Sequence, residues 1–154
     1  MTRLILVWLH LIALGIGLGA VWARARALAG APDAAAVRRA FAADTWWGLA
    51  AALWIITGLW RLFAGTEKST SYYLADHAFW LKMALLGVIL ALEMWPMVTL
   101  IRWRIATKRG ASVGASADAV VARRIATISY VQAVLVALMV GAAVAMARGY
   151  GQRG

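Results

Sequence analysis

The chain contains four long runs of apolar residues, separated by shorter segments that carry most of the charged and turn-forming residues. About 20 helical residues, at 1.5 Å rise per residue, cross the ~30 Å hydrocarbon core of a bilayer. The pattern therefore predicts transmembrane helices at about residues 4–23, 46–62, 78–101 and 125–147. We expect an all-α membrane protein, a four-helix bundle that forms a single domain over residues 1–154.

The segment before the second apolar run has a different pattern. Asp33 is placed to cap a helix, and Arg38 and Arg39 fall on one side of residues 34–43. A short helix with one charged side is typical of a segment lying in the membrane interface. We therefore predict a short amphipathic surface helix between helices one and two.

Composition strengthens the membrane assignment. Hydrophobic residues make up 64% of the sequence and its mean hydropathy is +0.78, whereas soluble domains are roughly 45–50% apolar. The absence of cysteine excludes disulfides, zinc–thiolate sites and iron–sulfur clusters. No metal site is predicted.

The formal net charge is +10, a value that would also suit a nucleic-acid-binding protein. The basic residues, however, flank the apolar runs and do not form a stripe on a soluble face. We therefore expect no nucleic-acid partner, and assign the positive charge to contact with the anionic head groups of the lipid bilayer.

The same basic residues predict the orientation. Most lie beside the first and third connectors: Arg24, Arg26, Arg38, Arg39, Arg102, Arg104, Lys108, Arg109, Arg123 and Arg124. Fewer lie on the opposite side: Arg3, Arg61, Lys68, Arg148 and Arg153. Because Lys and Arg accumulate in cytoplasmic loops, connectors one and three should face the cytoplasm, with both termini outside.

Polar residues within the apolar runs are the candidates for function. Because the helices alternate in direction, position along each run converts to depth, and His10, Thr57 and Lys82 all fall roughly 8 to 10 Å from the outer boundary. His77 lies above them, near the outer interface. In the outer half of the bundle we therefore predict a polar site.

A second polar layer lies in the inner half, where Glu93 and Gln132 reach matching depths and should hydrogen bond. An ionisable group inside the membrane costs at least ~2.5–3.5 kcal/mol, so Glu93 and Lys82 should face the bundle interior or a water-filled cavity. Other interpretations remain open. Lys82 could instead extend its side chain to the membrane surface, and Glu93 could make a purely structural hydrogen bond. His10 could be a packed core residue, a haem ligand or a proton relay.

Three segments carry a family resemblance: LHLIAL at 9–14, DHAFWLKM at 76–83 and EMWPM at 93–97. Together they resemble the bacterial predicted membrane proteins of domain-of-unknown-function family 2214, a resemblance that covers nearly the whole chain. It implies a multi-pass protein of the bacterial inner (cytoplasmic) membrane, and implies topology more than mechanism.

A histidine early in helix one and a lysine at the start of helix three are also distantly similar to the membrane protoporphyrinogen oxidases and the copper-resistance D-like membrane proteins. This similarity implies haem b as a candidate cofactor. The similarity carries over to His10 and Lys82, and the second histidine, His77, is the third candidate for binding the cofactor.

Three functions fit these observations. The first is a b-type haem-associated or redox membrane protein, including an oxidase that acts on a porphyrin or quinol in the outer layer. The second is a non-catalytic scaffold or accessory subunit, as a homo-oligomer or within a larger membrane complex. The third is an ion-coupled transporter that uses Glu93 and Lys82. No catalytic motif is present, so the sequence leaves enzymatic activity and catalytic residues open.

Overall fold

The computed structural model describes residues 1–30, 32–63, 77–112 and 117–148. These residues form four helices: α1 Thr2–Leu28, α2 Ala34–Phe63, α3 His77–Lys108 and α4 Ala119–Ala147. All four are long and apolar enough to cross a membrane. The prediction of an all-α four-helix bundle is confirmed.

The prediction of a separate surface helix at residues 34–43 is wrong, because this stretch forms the first turns of α2. No glycine or proline separates it from the following apolar run, so the helical hydrogen-bond ladder continues without a break. Asp33 does cap the helix, accepting a hydrogen bond from the backbone N–H of Ala36 at 2.6 Å. Val37 and Ala40 are buried among Leu28 and the apolar side chains of α3 and α4, which holds the stretch in the bundle.

The helices pack in the order α2–α1–α4–α3. α1 lies along α2 and α4, α3 lies along α4, and α2 touches α3 only sparsely. Close approach of α1 and α2 depends on Gly17, where an added Cβ would lie 3.3 Å from the Trp47 ring. The result is a bundle with a seam between α2 and α3.

The bundle interior contains two polar layers, which divide it into two halves. We call the half with the start of α1 and the end of α2 the His10 half, and the half with the end of α1 and the start of α2 the Arg24 half. Between and around these layers lie apolar clusters that include Trp47, Ile89 and Leu100. The outward faces carry many exposed large apolar side chains, as expected for helices in contact with lipid.

Candidate functional site

In the His10 half, a buried histidine on α1 contacts two side chains of α2. His10 Nδ1 lies 2.9 Å from Thr57 Oγ1, and the indole N–H of Trp54 donates to His10 Nε2 at 2.8 Å. Because an indole nitrogen can only donate, Nε2 must accept, so the proton of the neutral ring lies on Nδ1. The contact with Trp54 therefore fixes the tautomer of His10.

The polar chain continues into the backbone of α2. The Thr57 hydroxyl accepts from His10 Nδ1 and donates to the carbonyl of Leu53, 2.8 Å away, one turn earlier in the helix. Gly58 makes room for the imidazole, since an added Cβ there would lie 3.3 Å from His10 Cε1. Both ring nitrogens of His10 are satisfied within the protein.

A cavity of about 110 Å³ lies beside His10. Its wall comes mainly from α2 and α3, and it is closed at the back by side chains of α1 and α4. The lining residues are His10, Trp54, Ile55, Gly58, Leu59, Arg61, Leu62, Phe79, Lys82, Met83, Leu86 and Met139. The cavity therefore lies along the seam between the two helices that touch least.

The structure brings together three of the residues singled out for the outer layer. His10 contacts Thr57 directly, and Lys82 lines the same cavity as His10. His77 is placed differently: it is the first residue of α3, its side chain is exposed, and it does not line the cavity.

The cavity can be tested against the haem group that the distant resemblance implies. Ligand sites for molecules of that size enclose about 300–1,000 Å³, whereas this cavity encloses about 110 Å³. Met83 is available in the lining, but the Nε2 atom of His10 that would ligate iron is occupied by the Trp54 N–H. In this arrangement the residues do not fit a haem.

In the Arg24 half, a fully buried arginine on α1 contacts all three other helices. Its Nη1 donates to Asp44 at 2.9 Å and to Glu93 at 2.6 Å, and its Nη2 donates to Glu93 at 2.7 Å. Nη2 also donates to Gln132, and Nε donates to Ser129, each at 2.9 Å. The two parallel bonds to Glu93 form a bidentate pair, the strongest geometry available to a guanidinium and a carboxylate.

The hydrogen bond that the sequence predicted between Glu93 and Gln132 is present. The Gln132 amide donates to Glu93 Oε2 at 2.8 Å and to the carbonyl of Ile89 at 3.2 Å. Gln132 thus joins α3 to α4 and accepts from Arg24 at the same time. Glu93 accepts from both Arg24 and Gln132, and it does not line the His10 cavity.

The charges of this network balance. Asp44 accepts from Arg24 through Oδ1 and from Arg104 through Oδ2, the latter at 3.0 Å. Two guanidinium groups, Arg24 and Arg104, thus face two carboxylates, Asp44 and Glu93. Balanced pairing with satisfied hydrogen bonds is what allows ionised groups to remain inside a bundle.

These features define a multi-pass membrane protein with a buried charge network at one end of its bundle and a small, largely apolar cavity beside a histidine at the other. The sequence matches the family model described as predicted membrane protein (DUF2214) over residues 2–151, and the chain belongs to this family. No curated protein and no solved structure matches it.

Proposed function

We propose that this protein is a redox-associated membrane protein whose His10 cavity binds the ring of a lipid-dissolved quinone or quinol. The observation that carries the proposal is the cavity itself, with a volume of about 110 Å³ and a position on the seam between α2 and α3. An apolar cavity of roughly 150 Å³ is known to hold one benzene ring, so the scale here is that of a single ring and not of a macrocycle. The isoprenoid tail would leave through the seam into lipid.

The lining supplies both kinds of contact that a quinone ring needs. Trp54 and Phe79 offer aromatic faces and edges, and Met83 offers a polarisable thioether. Lys82 and Arg61 bring cationic donors to the same cavity, and such donors suit the carbonyl oxygens of a quinone. In this proposal His10 forms the polar back wall, held in one orientation by its bonds to α2.

We further propose that the protein resides in the bacterial inner membrane with both termini outside, as the distribution of Lys and Arg supports. The cavity then lies in the outer half of the bilayer.

A scaffold or accessory-subunit role is a second candidate. It is supported by Gly15 and Gly19, which are exposed on α1 and would allow another helix to approach closely. A transporter role gains no support from Glu93, because Arg24 and Gln132 engage its carboxylate.

The test is quinone binding by the purified full-length protein in dodecyl maltoside. Decylubiquinone is titrated in, and quenching of tryptophan fluorescence is followed, since Trp54 lines the cavity. Gly58→Leu places a side chain against His10 and should abolish saturable quenching. Gly48→Leu is the matched control on the same helix, because Gly48 is exposed with nothing within 4 Å of an added Cβ. Lys82→Met should weaken binding by about tenfold or more, the loss typical of a hydrogen bond from a charged donor.

Quenching that is linear in quinone concentration, and equal in Gly58→Leu and Gly48→Leu, would show partition into the micelle and refute the proposal. An absorption spectrum recorded before and after reduction by dithionite separates the haem alternative. A Soret band, with α and β bands that sharpen on reduction, would show that the protein binds a haem and would contradict the quinone proposal. Loss of a co-purifying partner in Gly15→Leu, with no quinone binding by the unmodified protein, would support the accessory role.

A further inference from the structure

A second recess lies in the Arg24 half, on the outward side of α1 and α2. It is a groove of about 640 Å³ whose floor includes Gly19, Ala20 and Ala23, with Arg26, Arg39 and Trp46 around it. We propose that this groove binds one anionic phospholipid. The phosphate lies between the two arginines, and an acyl chain follows the small-residue floor toward the middle of the bilayer.

The two arginines supply the charge for a phosphate. Arg26 comes from the last turn of α1 and Arg39 from the second turn of α2, so they converge on the groove from antiparallel helices. Both side chains are exposed, and in the part of the chain that the structure describes neither pairs with a carboxylate. Asp44 and Glu93, the carboxylates inside this half of the bundle, are engaged by Arg24 and Arg104, and Asp33 at the start of α2 accepts from the backbone N–H of Ala36. The groove therefore presents uncompensated positive charge at one end.

The dimensions of the groove fit a lipid better than a small anion. From Arg26 to Ile16, the far end of the floor on α1, is ten residues or about 15 Å of helix, which is half of a ~30 Å hydrocarbon core. Small side chains along this path leave space for a chain to lie against the helix. Trp46 stands beside it on α2, and tryptophan is enriched where a membrane protein meets the interface. A free phosphate would use only the arginine end.

The same end of the bundle contains a matched control. Arg123 and Arg124 line a groove of about 680 Å³ on α4, beside Trp95 of α3. These arginines are adjacent in one helix and leave it about 100° apart, whereas Arg26 and Arg39 reach their groove from two different helices. Removing this pair changes the net charge as much as removing Arg26 and Arg39, at the same membrane surface.

The experiment is native mass spectrometry of the full-length protein, titrated with dioleoylphosphatidylglycerol or dioleoylphosphatidylcholine. The unmodified protein should retain one phosphatidylglycerol in preference to phosphatidylcholine. Arg26→Gln/Arg39→Gln should weaken that binding on the order of 30-fold, at roughly fivefold for each basic side chain beside an anionic head group. Arg123→Gln/Arg124→Gln should weaken it less than twofold. Circular dichroism checks that both double variants keep their helices, as expected for exposed positions.

Four outcomes would overturn the proposal. Equal retention of the two lipids would show that charge is not recognised, and equal loss in the two double variants would show that only surface charge matters. Displacement of phosphatidylglycerol by millimolar sodium phosphate would identify an anion site without a chain-binding groove. A dimer that excludes lipid from the unmodified protein would assign the groove to a second copy of the chain.

Discussion

Replacing Glu93 with glutamine tests whether charge pairing or hydrogen bonding holds the Arg24 half together. Glutamine keeps the size of the side chain and one carbonyl acceptor, but it removes the negative charge that faces Arg24 through two bonds of 2.6 and 2.7 Å. Arg24 is fully buried, and its remaining carboxylate, Asp44, is shared with Arg104. The variant therefore leaves one uncompensated positive charge inside the bundle.

The two explanations predict different magnitudes. Removing one partner of a buried ion pair costs about 3–5 kcal/mol, because the other charge stays desolvated. A hydrogen bond between neutral groups inside a membrane protein contributes about 0.6 kcal/mol and at most about 1.7 kcal/mol. We expect Glu93→Gln to lower the free energy of unfolding by about 3–5 kcal/mol. Ser129→Ala, which removes only the neutral acceptor of Arg24 Nε, should cost about 1 kcal/mol.

The assay is reversible unfolding by sodium dodecyl sulfate in mixed micelles with dodecyl maltoside, followed by far-ultraviolet circular dichroism. Thr99→Val is the control on α3, because the Thr99 hydroxyl donates to the Trp95 carbonyl of its own helix, and its loss should change stability by less than about 0.5 kcal/mol. In the double variant Arg24→Gln/Glu93→Gln the remaining charges, Asp44 and Arg104, balance again. The double variant should therefore be more stable than the sum of the two single losses predicts, by about 2 kcal/mol.

A loss below about 1 kcal/mol for Glu93→Gln would refute the reasoning, since it would mean that Arg24 finds solvent or another counter-charge. Additive losses in the double variant would refute it as well, because they would show that the two side chains do not stabilise each other.

The sequence predicted the helices and one of the two polar layers well, for a simple physical reason. The length of an apolar run must match the thickness of the membrane, which identifies the helices. Because successive helices alternate in direction, sequence position also gives depth in the membrane, and this correctly placed His10 and Thr57 in one layer. The same conversion placed Glu93 level with Gln132. Depth does not say in which direction a side chain leaves its helix, so the hydrogen bond from Trp54 that fixes the His10 tautomer could not be predicted.

The second layer was incomplete because Arg24 was counted with the first connector, and Asp44 falls between the predicted surface helix and the predicted second helix. Both lie inside continuous helices, since α1 ends at Leu28 and α2 begins at Ala34. A signal was available: Asp44 is the single acidic residue in the α2 sequence, as Glu93 is in α3. Two carboxylates in apolar helices require two cations, and nearby arginines at the same depth were the candidates.

Two further predictions follow from the packing. Gly17→Leu should destabilise the bundle by about 1–3 kcal/mol in the same unfolding assay, because the new side chain meets the Trp47 ring. Gly15→Leu is the control: nothing lies within 4 Å of an added Cβ there, and stability should change by less than about 0.5 kcal/mol. Equal losses in the two variants would contradict the packing of α1 on α2. Arg104→Gln should cost about 1–2 kcal/mol, less than Glu93→Gln: it removes bonds to Asp44, Thr45 and the Phe41 carbonyl, but the side chain is 32% exposed and solvent screens the charge left on Asp44. A loss as large as that of Glu93→Gln would show that solvent does not reach this pair.

The two layers differ in how many helices they join, and this difference bears on access to the cavity. The hydrogen bonds of Arg24 reach α2, α3 and α4, so the Arg24 half is held from every side. Those of His10 reach α2 alone, and the seam between α2 and α3 lies beside it. Separation of α2 from α3 at the His10 half breaks no bond of the Arg24 network. The bonds of Arg24 thus tie all four helices together, whereas those of His10 join only α1 and α2 beside the site that we propose for the quinone.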